Sequence, residues 1–261
     1  MIRNLLYNVY APTSNDEWRL NVDKLNTYSS VFSGRKIVLV KTGPRLVSPD
    51  SIQAAFAFDA EFVLVPNNTK QQEGAGFLDA LEMLHSLRDD EATFYAHTKG
   101  VRYDSMQEHQ LRPLRRWRDE MYEHCLGEPS CLDEVLKHYA CCGCFRLLRD
   151  NHPTMLAPWH FSGTFWWVKH SALFATNWRE MIASIYGVEN YLGNLIPVEQ
   201  SFCLYSDNSP PAGRYSASQA FRCLGRRCGF VFEAVTGVHL HPQKHCPECG
   251  SVSVVVDHAA L

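Results

Sequence analysis

The chain contains no long apolar run. None of its segments approaches the about 18 consecutive apolar residues that a membrane-spanning helix requires. The first residues, MIRNLLYNVYAPTSNDEW, also lack the apolar core of a signal peptide. We therefore expect a cytoplasmic protein with no membrane span.

The chain also has little excess of positive or negative charge. The formal net charge is −3 over 261 residues, which excludes a general attraction to nucleic acids or anionic membranes but leaves local basic patches open. Hydrophobic residues make up 46% of the chain and charged residues 20%, values that exclude wholesale disorder. The length suits one large domain with a small appendage.

Cysteine, by contrast, is abundant: the chain has 10 cysteines, and the last four are clustered in pairs. Their spacing is Cys223-x4-Cys228-x17-Cys246-x2-Cys249, with glycine after Cys228 and after Cys249. In a reducing compartment this pattern predicts a metal site rather than disulfides, and four thiolates at such spacing are typical of a structural zinc ribbon.

The histidines between the two cysteine pairs offer an alternative, in which His239, His241 or His245 replaces one thiolate as a zinc ligand. A module of this size has too little core to fold alone, so metal binding would supply the missing free energy. Its partner, a protein or a nucleic acid, stays open, because basic residues such as Arg226 and Lys244 are few.

Strand and helix patterns alternate over residues 1–100, which predicts parallel βαβ units and an α/β fold. Strands are expected at 5–11, 36–41, 61–65 and 92–96. Helices are expected at 17–32, after Ser48-Pro49 and around Phe77. The boundaries predicted from composition are a domain at 1–206, a Pro- and Ser-rich linker at 207–218 and the cysteine module at 219–261.

The segment after the fourth predicted strand is polar, with the sequence His97-Thr98-Lys99-Gly100. Ligands of doubly wound sheets bind at the carboxyl ends of the strands, where this segment lies. Lys99 and the backbone amide of Gly100 suit a phosphate group. A lysine in a solvent-exposed turn is the alternative explanation.

Two motifs in the chain resemble a group of glycosyltransferase-like proteins of GT-A fold. These are FYAHTKGV at 94–101, similar to YxHTKG, and His160-Phe161-Ser162-Gly163-Thr164-Phe165-Trp166-Trp167, similar to HxSGxFWW. The resemblance covers about residues 1–205 and leaves the cysteine module out. It implies a GT-A-like, Rossmann-like mixed sheet, a nucleotide-sugar donor bound over the first half and a hydroxyl acceptor bound against the second half.

The sequence departs from the general GT-A pattern where that pattern has Asp-x-Asp, whose carboxylates hold Mn²⁺ or Mg²⁺ against the donor diphosphate. Here the equivalent segment is His97-Thr98-Lys99. We expect Lys99 to supply the positive charge in place of a metal, with His97 hydrogen-bonded to donor or phosphate. The alternative keeps a metal, held by His97 and a carboxylate such as Asp104.

The resemblance also suggests acceptor-binding residues. An aromatic strand at 161–169 places Ser162, Gly163, Thr164 and Trp166 in the acceptor wall, where glycine permits close approach and an indole stacks on a sugar. A predicted helix at 198–205 would present Glu199 as general base, with Gln200 beside it. Asp104 and Glu189 are the other candidates for the base.

Position at the same sheet edge suggests further donor contacts. The end of the first strand, Tyr10 and Ala11, and the turn at Asn67 are expected to approach the nucleotide. The resemblance thus implies a glycosyltransferase. The alternative is a catalytically inactive sugar- or nucleotide-binding module whose zinc ribbon docks to protein or nucleic acid.

Overall fold

The structure is a computed structural model that describes residues 1–101, 108–151 and 155–206, together with three strands of the C-terminal part. The chain divides into two compact units, Met1–Leu204 and Tyr205–Leu261. The first unit is an α/β domain with a Rossmann-like arrangement, a mixed sheet of seven strands flanked by helices, and this part of the sequence prediction is confirmed.

Half of the large sheet is parallel. Strands β1 to β4 comprise, in chain order, Ile2–Val9, Lys36–Thr42, Glu61–Pro66 and Glu91–His97. They lie in the order β3-β2-β1-β4, and each neighbouring pair is parallel. All four carboxyl ends therefore meet at one edge, which we call the carboxyl edge.

The other half of the sheet is formed by β8, β5 and β9, in that order from β4. The strands from β5 to β9 are Cys141–Cys144, Arg146–Leu148, Trp159–Phe161, Trp166–Lys169 and Ser201–Tyr205. Strand β8 is antiparallel to both β4 and β5, while β6 and β7 form a separate antiparallel pair. Strand β8 thus joins the two halves of the sheet.

Two expectations for this half are wrong. The strand expected at 161–169 is divided into β7 and β8 by a turn, in which Gly163 and Thr164 have φ angles of 93° and 64°. The helix expected at 198–205 is a 3-10 turn, Val198–Gln200, followed by β9. The segment SFCLY is rich in residues that favour strands, and its pairing with β5 decides its structure.

Among the described residues, seven α-helices flank the sheet. From α1 to α7 they are Glu17–Thr27, Pro49–Gln53, Phe77–Met83, Glu108–Leu126, Pro129–His138, His170–Leu173 and Gly187–Leu195. The expected start of α2 is confirmed, because the Ser48 side chain accepts a hydrogen bond from the Ser51 amide. Among the described helices, none combines the length and apolarity needed to cross a bilayer.

The second unit contains a small antiparallel sheet. Its strands, β10 to β12, are Gln219–Cys223, Val231–Ala234 and Val254–Val256, in the order β11-β10-β12. Of the expected zinc ligands, Cys223 ends β10, whereas Cys228, Cys246 and Cys249 lie outside the described residues. The expected linker at 207–218 lies outside them as well.

Candidate functional site

One face of the parallel strands changes from apolar to polar as it reaches the carboxyl edge. Leu6, Ile37, Leu39 and Tyr95 are fully buried on this face, in a core cluster that also contains residues of α3 and α7. Because side chains alternate along a strand, the next residues on the same face are Asn8, Lys41 and His97. The core therefore ends in a polar rim formed by three neighbouring strands.

This polar rim lines a cavity of about 110 Å³. Its lining includes six of the seven residues expected to bind a donor: Tyr10, Asn67, His97, Thr98, Lys99 and Gly100. The seventh, Ala11, is fully buried, and its carbonyl accepts a hydrogen bond from the Val47 amide. A single water needs a cavity of about 10–15 Å³, so this cavity has room for several waters or a compact anion.

Thr98 holds two strand ends together. Its amide donates to the Asn8 carbonyl, and its hydroxyl both accepts from the Tyr10 amide and donates to the Tyr10 carbonyl, each at 2.9 Å. The side chain is buried, and its hydroxyl already has two backbone partners. Thr98 thus fixes the position of Tyr10 at the cavity.

His97 lies between two hydrogen-bond acceptors. Its Nδ1 is 3.0 Å from Oε1 of Glu73, and its Nε2 is 3.0 Å from the carbonyl oxygen of Gly163. A carbonyl only accepts, so Nε2 donates to the Gly163 carbonyl, while Nδ1 faces the Glu73 carboxyl. In this arrangement neither nitrogen presents a lone pair to a metal, which disfavours the alternative with His97 as a ligand; Asp104 lies outside the described residues.

Lys99 is fixed by helix α1 and by an aromatic ring. Its amide donates to Oδ1 of Asn21, and its carbonyl accepts from Nδ2 of the same side chain, both at 2.9 Å. Its ammonium lies 4.3 Å from the ring centroid of Trp117 on α4. This cation–π contact orients the ammonium of a residue that lines the cavity.

Lys41 is a site residue that the sequence analysis missed. It is only 2% exposed, its Nζ donates to the carbonyl of Ala75 at 2.5 Å, and it lines the cavity. Burial lowers the pKa of Lys41 from 10.5 to about 8, although the nearby Glu73 carboxylate opposes this shift. The sequence KIVLVK already indicates this position, because Lys41 lies on the same face of the strand as the buried Ile37 and Leu39.

Glu73 was missed too, and no local pattern marks it. It belongs to the 3-10 turn Gln72–Gly74, where its carbonyl accepts from Nδ2 of Asn8 at 2.9 Å and its carboxyl meets His97. The turn thereby covers the polar rim of the sheet. Its position depends on contacts with residues distant in the sequence, which a turn-like sequence does not reveal.

The expected acceptor wall is packed against the protein itself. A Cβ on Gly163 would lie 2.6 Å from Sδ of Met121 and 2.9 Å from the Trp117 ring, so this glycine permits the approach of α4 rather than of a ligand. Trp166 is 1% exposed and stacks on Tyr95 at a centroid distance of 5.0 Å. Its indole face is therefore not available to a sugar, contrary to the expectation.

The other two residues of this segment, Ser162 and Thr164, are also buried, with 7% and 3% exposure. They flank Gly163 in the turn between β7 and β8, next to the residue whose carbonyl contacts His97. We find them beside the site, as parts of the turn that supports it.

Glu199 and Gln200 lie at the opposite edge of the sheet. The Gln200 carbonyl accepts from the Ala140 amide, and the Ala140 carbonyl accepts from the Lys169 amide. Lys169 pairs with Ala92 near the start of β4, whereas the cavity lies at the end of that strand. The exposed Glu199 is thus separated from the site by the length of β4, which removes it as the base.

Glu189 is the other candidate base among the described residues, and it lies near the cavity at the carboxyl edge. Its Oε1 accepts from the Gly163 amide at 3.2 Å and lies 3.9 Å from Nε2 of His160. The Gly163 carbonyl in turn contacts His97. Glu189 is half-buried in the first turn of α7, and a single residue, Gly163, links it to His97 through its amide and its carbonyl.

Within the described ranges, no group of three or more histidine, cysteine, aspartate or glutamate side chains is placed to hold a metal ion. Comparison with known proteins gives no match: no family model, no curated protein and no solved structure is significantly similar to this chain.

Proposed function

We propose that the protein transfers a sugar from a nucleotide-sugar donor to a hydroxyl acceptor, with the donor diphosphate in the carboxyl-edge cavity of a GT-A-like domain. The observation that carries the proposal is the convergence of Lys99, Gly100 and the polar strand ends on one cavity. Ligand binding at this edge is the rule for sheets of parallel strands joined by helices.

Lys99 is assigned to the leaving group. When the bond between the anomeric carbon and the diphosphate oxygen breaks, negative charge grows on that oxygen, and a preoriented ammonium stabilises it. Contact of the ammonium with Trp117, and two hydrogen bonds between the Lys99 backbone and the Asn21 side chain, hold Lys99 before the ligand arrives. Little reorganisation is then needed during the reaction.

The Mn²⁺ or Mg²⁺ that the GT-A resemblance implies does not fit the residues present. The Lys99 ammonium stands where a second carboxylate would be needed, and both nitrogens of His97 are engaged by Glu73 and Gly163. We therefore assign His97 a positioning role: it connects the 3-10 turn over the cavity with the turn that contacts Glu189.

Glu189 is assigned as the general base. Its carboxylate accepts the proton of the acceptor hydroxyl while the acceptor oxygen forms its bond to the anomeric carbon. The amide of Gly163 fixes one carboxylate oxygen. A side chain that is 24% exposed also remains accessible to an acceptor from solvent.

The experiment is a thermal-shift screen of the full chain against nucleotide sugars, followed by an assay for nucleoside diphosphate release with candidate acceptors. No divalent metal is added, and the zinc content of the protein is checked so that loss of a structural metal does not mimic loss of activity. We expect release with at least one donor and its loss in Lys99→Met. Absence of release with every donor, including slow hydrolysis, would refute the proposal.

One observation favours a second candidate, a binding module without turnover. The Asp-x-Asp carboxylates that hold a metal against the donor diphosphate in the GT-A pattern are replaced here by His97-Thr98-Lys99, so a group that assists departure of the diphosphate is missing. A stabilising shift with a nucleotide or sugar, without any product, supports this candidate. In both cases we propose that residues 219–261 form a zinc ribbon with a structural Zn²⁺ held by the four cysteines.

A further inference from the structure

Lys41 is a buried charge with few hydrogen-bond partners among the described residues. The residue is 2% exposed, and an ammonium has three N–H donors. Among the described residues its Nζ makes one hydrogen bond, to the carbonyl of Ala75. Two donors of this buried cation therefore have no acceptor among the described residues, which is costly unless a ligand or water in the cavity that Lys41 lines accepts from them.

The surroundings of Lys41 favour an anion as that acceptor. The second ammonium at the cavity, that of Lys99, disfavours a cationic ligand. The carboxylate whose charge acts on Lys41, that of Glu73, is engaged by His97 at 3.0 Å. Open space also borders the cavity at Gly100, where no described atom lies within 4 Å of the position that a Cβ would take.

We propose that the cavity is an oxyanion site for a phosphoryl group, in which Lys41 supplies the buried positive charge. The inference deepens the proposed function and rests on it for the remainder of the ligand, the nucleoside and the sugar. Two ammonium groups match a phosphoryl dianion better than a single carboxylate, and charge-assisted hydrogen bonds to its oxygens would satisfy the donors of Lys41.

The two lysines are expected to have different roles because they occupy different positions at the cavity. Lys99 follows the end of β4, is half-exposed and is oriented by Trp117, so it is placed to contact a group that departs toward solvent. Lys41 is at the end of β2 and is held by Ala75, so it remains fixed. Lys41 therefore contributes mainly to ligand affinity, and Lys99 to the rate of the reaction.

The test is calorimetric titration of the full chain with inorganic pyrophosphate, inorganic phosphate, a nucleoside diphosphate, the matching nucleoside and malonate. Lys41→Met keeps a long apolar side chain and removes the charge. The matched control is Lys36→Met, because Lys36 lies at the other end of the same strand. Thermal unfolding of each variant shows that it is folded.

We expect wild-type protein and Lys36→Met to bind pyrophosphate and the nucleoside diphosphate alike, and Lys41→Met to lose about tenfold or more in affinity for both. Pyrophosphate affinity equal in folded Lys41→Met and wild type would overturn the inference, and so would malonate binding as tight as that of pyrophosphate. Pyrophosphate binding that depends on Lys41, without turnover of any donor, would refute the proposed transferase and leave the oxyanion site standing.

Discussion

Nδ1 of His97 lies 3.0 Å from a carboxylate oxygen of Glu73, and the opposite nitrogen of the same ring contacts the Gly163 carbonyl at 3.0 Å. One imidazole thus joins the end of β4 to the 3-10 turn over the cavity and to the turn before β8. The shape of the cavity depends on both turns, so substitutions in either are expected to affect the site.

The first prediction concerns two glycines with positive φ angles. Gly163→Ala places a methyl group 2.6 Å from Sδ of Met121 at a φ of 93°, whereas Gly100→Ala places it in open space at a φ of 85°. We expect Gly163→Ala to lower the free energy of unfolding by about 3 kcal/mol and Gly100→Ala by about 1 kcal/mol. Denaturant titration measures both, and equal losses would contradict the close packing of α4 on this turn.

The second prediction is that loss of the Lys41 charge stabilises the fold. Its pKa of about 8 in the folded state is below the ordinary value of 10.5, so below pH 8 both states are protonated and the cost of burying the charge is fully present. We expect Lys41→Met to raise the free energy of unfolding at pH 7 by about 1–2 kcal/mol.

The difference between Lys41→Met and wild type should shrink as pH rises through 8 toward 10.5, where the native lysine becomes neutral. Lys36→Met should change stability by less than about 0.5 kcal/mol. A less stable Lys41→Met at pH 7 would show that the ammonium contributes favourably to the fold without a ligand.

The third prediction is a loss of stability in acid that arises from His170, which lies near the start of β4. His170 is fully buried, with its ring nitrogens next to the hydroxyls of Ser86 and Thr93. Burial lowers the pKa of His170 to about 4, despite the opposing charge of Glu91. Between about pH 6.5 and 4 the unfolded chain therefore binds more protons, and stability falls as pH falls.

For His170 we expect a loss of about 2 kcal/mol between pH 8 and pH 5. His170→Asn should be less stable than wild type at pH 8 and show a flatter profile. The control, His138→Asn, alters an exposed histidine on α5 and should retain the slope of wild type. If the free energy of unfolding of His170→Asn falls as steeply with decreasing pH as that of wild type, His170 is not the cause of the acid sensitivity.

The fourth prediction concerns the proposed zinc ribbon. Elemental analysis of the purified protein should give about one zinc per chain, and Cys246→Ser should lose it because a tetrahedral thiolate site needs all four ligands. Limited proteolysis should then cleave within 205–261 first. Cys131→Ser, a change at an exposed cysteine of α5, should keep the metal. Unchanged zinc in Cys246→Ser would contradict the ligand set.

Much of the parallel half of the sheet could be predicted from the sequence, because local patterns determine it. The expected strands at 36–41, 61–65 and 92–96 agree with β2, β3 and β4 to within one residue at each end. Buried parallel strands are short apolar runs, and the turns between them carry proline, glycine or a capping serine such as Ser48.

The second half could not be predicted in the same way. Glu199 was expected near the site because the GT-A resemblance implies an acidic residue at that position, at the start of a predicted helix, yet pairing of its segment with β5 places it at the other edge. Trp166 was expected to face a ligand, but packing on Tyr95 from a different strand buries it. Both errors concern contacts between residues far apart in the chain, which local patterns do not encode.

The central claim is that the reaction takes place at the carboxyl edge, with Glu189 as the base. The most direct test compares nucleoside diphosphate release, in the presence of acceptor, by wild type, Glu189→Gln and Glu199→Gln. We predict that Glu189→Gln lowers kcat by about 100-fold or more and that Glu199→Gln retains wild-type activity. A large loss of activity in Glu199→Gln, with Glu189→Gln fully active, would place the chemistry at the opposite edge and contradict the account.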